Sequence, residues 1–133
     1  MTQNDKDLLL RDLCARLPYG VKVEYENEIF DVEYVCPMYE EVKFDIPETW
    51  TIGVSEVKPY LFPMSSMTDE DHTIYSKIWE DTGKTAYLEG CHHLISTIKA
   101  YKAANDYLLS KHYDIYGLIP MDLAIDATGK NIY

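Results

Sequence analysis

The residues of this 133-residue chain best suited to metal or nucleophile chemistry are four histidines and three cysteines. Cys91, His92 and His93 adjoin one another, with Glu89 just before them and His112 further along. A metal site on a helix needs ligands three or four residues apart, so that they share a face. Glu89 and His93 meet that spacing, whereas His92 points elsewhere and Cys91 falls on an apolar stripe. The set is incomplete, and neither a metal nor another cofactor is expected. Ser65 or Ser66 with His72 and Asp71 spells a Ser-His-Asp set, but no nucleophile-elbow glycine pattern surrounds either serine. Loop serines beside a helix start are suited to capping instead. Gly83-Lys84-Thr85 matches the end of a phosphate-binding loop but lacks the upstream glycine and the strand leading in. Cys14 has no nearby histidine or basic cluster to activate it. These patterns point to a non-enzymatic protein.

Charge is the stronger signal. The chain carries a net charge of −11, and the stretch from Glu24 to Glu48 holds nine acids against a single base, Lys43. Glu24, Glu26, Glu28, Glu33, Glu40 and Glu41 are the candidate binding residues of an acidic face. Such a field repels nucleic acid and anionic lipid and attracts basic protein surfaces. Its alternative reading is a solvated sheet face kept soluble by charge. Twelve tyrosines suit surfaces that are part apolar and part wet, interfaces among them.

These residues need elements to position them. The pivot is Val57–Thr68, where Pro59 and Pro63 exclude both a regular helix and a central strand. Tyr60, Leu61, Phe62, Met64 and Met67 make it too apolar for a solvated linker, so a packed crossover is expected. Before it, Leu8, Leu9, Cys14 (with Leu13) and Leu17 mark a helix over 5–16 that Asn4 or Asp5 caps and Pro18 and Gly20 stop, with Cys14 read as core. Alternating apolar residues mark four short antiparallel strands within 20–55, with a tight turn at Asn27-Glu28. Phe30, Val32 and Tyr34 share one face of the second strand, and Trp50, Ile52 and Val54 share one face of the fourth.

After the crossover, Thr68 and Asp71 fit a capping pattern for a helix over 68–80 that Gly83 ends. A longer helix over 88–111 carries a stripe of Cys91, Leu94, Ile95, Ile98, Tyr101, Leu108 and Leu109 that should pack on the open sheet face. The tail, 114–133, is apolar enough to pack, as a turn followed by a short helix. The whole is read as one α+β domain, 1–133: a four- to five-stranded antiparallel, barrel-like meander with an N-terminal helix and two C-terminal helices packed on it. Three widely spaced cysteines and a polar N-terminus fit a reduced, cytoplasmic protein with buried thiols and no signal peptide. No apolar run is long enough to span a membrane.

The wording of three segments adds a resemblance. Asp12 to Val21 (DLCARLPYGV), Val57 to Thr68 (VKPYLFPMSSMT) and His112 to Pro120 (HYDIYGLIP) are similar to a group of small proteins from Bacteroides-type gut bacteria, their phages and mobile elements. The resemblance implies a setting, a phage- or element-borne accessory protein in a bacterial cytoplasm, and carries over no catalytic residue. Two functions follow as expectations. The first is an acidic interaction protein that docks a basic surface on a host or defence protein. The second is a small-ligand or nucleotide-binding module using Tyr60, Phe62, Ser65 and Ser66 of the crossover, with homo-oligomerisation open.

Overall fold

The computed structural model describes residues 1–47, 50–90 and 92–133. Glu48 of the acidic stretch and Cys91 of the expected stripe and histidine cluster lie outside them.

Helix α1 spans Gln3–Arg16. It begins earlier than expected because Thr2, not Asn4 or Asp5, caps it. The Thr2 hydroxyl accepts from the Asp5 amide and the Asp5 carboxylate accepts from the Thr2 amide, a reciprocal capping box. Leu9, Leu10 and Leu13 are its buried apolar residues. Cys14 is exposed rather than core, and partial desolvation of its sulfur raises the thiol pKa.

Six strands follow: β1 (Lys22–Tyr25), β2 (Glu28–Cys36), β3 (Glu41–Phe44), β4 (Ile52–Gly53), β5 (Lys58–Leu61) and β6 (Ile125–Asp126). They form a single sheet in the order β4-β3-β2-β1-β5-β6. All pairings are antiparallel except β5 with β6, which is parallel. The sheet is open and mixed, not a closed antiparallel barrel; it has six strands against the expected four to five, and one of them, β5, runs between two others through the crossover expected to hold no central strand. The extra strands lie where the sequence hides them. Pro59 sits in β5 opposite Val23 of β1. Pairing with β6 begins only at Tyr60, so the residue without an N–H occupies the part of the strand that has one neighbour. The tail forms β6 and turns, not the expected short helix, with Leu118, Leu123 and Ala124 buried.

Local backbone explains two more departures. The β1–β2 hairpin turns at Glu26-Asn27, both at positive φ, one residue earlier than Asn27-Glu28. This geometry matches the right-handed twist of the flanking strands. The β2–β3 register shifts between Val32 and Tyr34. A bulge reverses which residues face inward, so Tyr34 is exposed and Val35 packs on the core. Trp50 is likewise exposed and lies outside β4.

The core joins α1, the sheet and the tail through Leu9, Leu13, Val23, Val42, Leu61 and Leu118, among others. It contains no residue from helix α2 (Asp69–Leu88) or helix α3 (His93–Ser110). The two C-terminal helices do not cover the sheet; they pack chiefly on each other. Helix α2 runs through Gly83 to Leu88 because a glycine is useful there. A Cβ at Gly83 would lie 3.5 Å from the Cβ of Ala100, so small residues on both helices allow a close approach. Helix α3 starts later than expected, at His93. Its buried residues are Ser96, Ala100, Ala104, Leu108 and Leu109, while Leu94, Ile95, Ile98 and Tyr101 are exposed. No helix among the described residues is long and apolar enough to cross a membrane.

Candidate functional site

The crossover, the end of α3 and the chain end meet at a cleft of about 520 Å³, within the usual range for a small-molecule site. Its wall includes Phe62, Ser66, Asp71, Lys111, His112 and Tyr133. Backbone bonds fix these segments. The Phe62 amide donates to the His112 carbonyl at 2.9 Å, and the Asp114 amide donates to the Phe62 carbonyl at 2.8 Å. The chain end is tied in by Tyr133, whose hydroxyl donates to the Tyr60 carbonyl at 2.9 Å and accepts from the Lys22 amide at 3.0 Å.

Asp71 lines this wall. The hydroxyl of Tyr107 donates to one of its carboxylate oxygens at 2.7 Å, and that of Tyr113 to the other at 2.6 Å. These two bonds, with Tyr113 the larger influence, hold the carboxyl below its ordinary range. The phenols move the other way. Burial first, and then the bond to Asp71, push both Tyr107 and Tyr113 up to about 12. An ionised carboxylate held by two neutral phenols is a fixed acceptor at neutral pH.

Tyr113 is itself anchored from below. Its carbonyl accepts from Arg16 at 2.7 Å, and Arg16 makes two bonds to Asp12, at 2.8 and 2.9 Å. Both side chains of that ion pair are fully buried. Burial raises the Asp12 pKa, against the opposing pull of Arg16. One helical turn of α1 thus fixes the backbone whose phenol holds Asp71.

His112 lies beside this cluster at φ 65°, in the left-handed region that is uncommon for non-glycine residues. Its ring stacks on Tyr133, with centroids 3.5 Å apart. Burial, followed by the nearby positive charges of Arg16 and Lys111, lowers its pKa to about 4. The imidazole is therefore neutral at pH 7.

The expected site residues divide. Phe62 and Ser66 line this cleft. Ser65 lines a smaller neighbouring one of about 300 Å³ with Met64 and Pro120. Tyr60 is buried, its hydroxyl 3.4 Å from Glu24. The Ser-His-Asp set does not assemble, because His72 lies along the outer side of α2 with Thr73 and Ser76 while Asp71 bonds the two tyrosines. Gly83-Lys84-Thr85 is inside a helix and makes no phosphate loop. His92 caps α3, its Nδ1 accepting from the Leu94 amide. His112 lies past the other end of that 18-residue helix, roughly 27 Å away at 1.5 Å per residue. Among the described residues no group of three His, Cys, Asp or Glu could hold a metal.

The acidic residues also separate. Glu24, Glu26 and Glu28 share the β1–β2 hairpin. Glu33 pairs with Lys43. Glu40 accepts from Gln3 at 2.8 Å and lies 3.5 Å from Lys6 at the start of α1, and Glu41 accepts from Thr51 at 2.7 Å. Lysines from outside the acidic stretch also sit in the sheet: β1–β2 pairing sets Lys22 against Asp31, and Lys58 of β5 meets Asp122 of the tail.

Sequence reasoning singles out none of Tyr107, Tyr113 and Tyr133, and reads Asp71 only as a capping partner of Thr68 or a member of the Ser-His-Asp set. Thr68 and Asp71 were read as a capping pair, and half of that holds: the Thr68 hydroxyl accepts from the Asp71 amide. The Asp71 side chain turns to the tyrosines instead. A periodicity of tyrosines six residues apart, at 107 and 113, carries no signal by itself. Compared with known proteins, the chain matches no family model, no curated protein and no solved structure.

Proposed function

We propose that the chain is a non-enzymatic binding protein and that the cleft between the crossover, the end of α3 and the chain end is its small-ligand site. The observation that carries this reading is the Asp71 carboxylate, held in a cleft of about 520 Å³ by two tyrosine hydroxyls. The carboxylate accepts hydrogen bonds, and Phe62 and Tyr133 offer apolar ring surface. The ligand class that fits is a planar, nitrogen-bearing molecule with donor groups, such as a nucleobase-like ring or an aromatic amine. Thermal shift of the full chain against nucleosides, nucleotides and aromatic amines tests this. At least one compound should raise the melting temperature, and Asp71→Asn should abolish the shift while keeping the fold. No shift with any compound would sink the reading.

A second reading rests on a separate observation. Glu24, Glu26 and Glu28 crowd one hairpin, and among the described residues none of the three takes an ion pair. This end of the sheet is suited to docking a basic protein surface, as would befit a cytoplasmic accessory protein of a phage or mobile element acting on a host or defence component. Capture from bacterial lysate at low salt and release at high salt would support it. Retention unchanged by reversing these three charges would count against it.

A further inference from the structure

We infer that the ligand of this cleft is an aromatic amino acid bound as a zwitterion, with its ammonium on Asp71, its carboxylate on Lys111 and its ring against Phe62 and Tyr133. The inference rests on the cleft being a small-ligand site, and it narrows the class that the site takes. Two opposite charges, Asp71 and Lys111, stand in one wall. Among the described residues neither takes an ion pair. Tyr107 engages both instead. Its hydroxyl donates to Asp71 at 2.7 Å, and the Lys111 ammonium lies over its ring, 5.9 Å from the centroid.

Both charged groups keep capacity for a ligand. A carboxylate has about four acceptor sites, and the phenols of Tyr107 and Tyr113 take one on each oxygen of Asp71. A ligand ammonium therefore meets free lone pairs on an ionised acceptor. Lys111 is exposed, and its ammonium only donates, so it calls for an anion. The hydroxyls of Ser66 and Ser110 are already spent on the carbonyls of Pro63 and Tyr107, at 2.7 and 2.6 Å. An amine alone would satisfy Asp71 and leave Lys111 without an anion; an acid alone would do the reverse.

Charge selects a carboxylate over a phosphate. Among the described residues that line the cleft, Asp71 is the one acid and Lys111 the one cation, His112 being neutral at pH 7. A phosphate group of about −1.5 to −2 charge would meet one lysine in the same wall as a carboxylate, on a chain of net charge −11. An amino acid brings both charges and no net charge, so the field of the chain does not repel it. The volume of about 520 Å³ and the rings of Phe62 and Tyr133 suit an aromatic side chain.

Isothermal titration calorimetry of the full chain at neutral pH tests it. Phenylalanine, tyrosine and tryptophan are each compared with the matching decarboxylated amine, and adenosine monophosphate represents the phosphate-bearing class. At least one amino acid should bind roughly 10- to 100-fold more tightly than its amine, the worth of one hydrogen bond to a charged group. Lys111→Met should remove that difference and Lys111→Arg should keep it, each with an unchanged circular dichroism spectrum; Lys111→Gln serves if Lys111→Met misfolds. An amine that binds as tightly as its amino acid, or a preference that survives Lys111→Met, would overturn the inference and leave the small-ligand site standing. So would a nucleotide that binds where no amino acid does. No binding by any of these compounds would overturn both.

Discussion

Where α1 meets the sheet, the contact layer is Leu9, Leu13, Val23, Val42 and Phe44. Where α2 meets α3, it is built around Ala86, Ser96, Ala100 and Ala104, with Gly83 beside Ala100. The first region hides these large apolar groups and buries one acid, Asp12, only against Arg16. The second buries its small residues and leaves Leu94, Ile98 and Tyr101 outside. The two regions draw on similar residue types and use them oppositely. Apolar periodicity therefore identifies a helix without saying which face is occupied. Large side chains hold the body together by the area they remove from water. The helix pair is held by close backbone approach, and those large groups remain exposed.

This contrast is most exposed to a change at Arg16. Arg16→Ala leaves Asp12 buried without its cation and frees the Tyr113 carbonyl, which should cost about 3–5 kcal/mol in chemical denaturation. Because the residue belongs to the body, the loss should appear as global unfolding. A loss confined to α2 and α3 would break the division between the regions.

The next effect depends on pH. Folding lowers the His112 pKa from 6.5 to about 4, so between those values the unfolded chain binds more protons than the folded one. Stability should therefore fall as pH drops from 6.5 toward 4, by on the order of 2 kcal/mol after allowance for partial exposure. Asn tolerates positive φ, so His112→Asn should flatten the slope in that window. Urea titrations at several pH values, comparing wild type with the variant, would show this; equal slopes would remove His112 from the account.

The smallest effect lies in the helix pair. A Cβ at Gly83 would make ordinary contact with Ala100, so Gly83→Ala should stabilise α2 by about 0.5–1 kcal/mol. Hydrogen exchange of α2 and α3 amides is the readout, and slower exchange is expected there with the sheet unchanged. Faster exchange would mean that the helices are already as close as they can pack.

Much of the body was legible in the sequence. Alternation located β1 to β3, and Thr68 located the start of α2, because those signals are local. What was not legible depended on neighbours distant in sequence. Pro59 could enter β5 because one neighbouring strand begins only after it. The acids of Glu24–Glu48 read as a continuous field, yet strand pairing sets Lys22 beside Asp31. Gly83 read as a helix end because Ala100 was not in view. The bulge that turns Tyr34 outward depends on register with β3, which no single strand encodes. The cleft was half legible: Phe62 and Ser66 came from the crossover, while Tyr107, Tyr113 and Tyr133 come from segments that only the fold brings together.

The central functional claim is that the Asp71 cleft receives a small ligand. Amide chemical-shift mapping of the full chain, titrated with nucleosides and aromatic amines, tests it most directly. The account predicts saturable shifts concentrated at Phe62, Ser66, Asp71, Lys111–Tyr113 and Gly129, lost in Asp71→Asn. No shift with any compound, or shifts confined to the exposed stripe of α3, would contradict it.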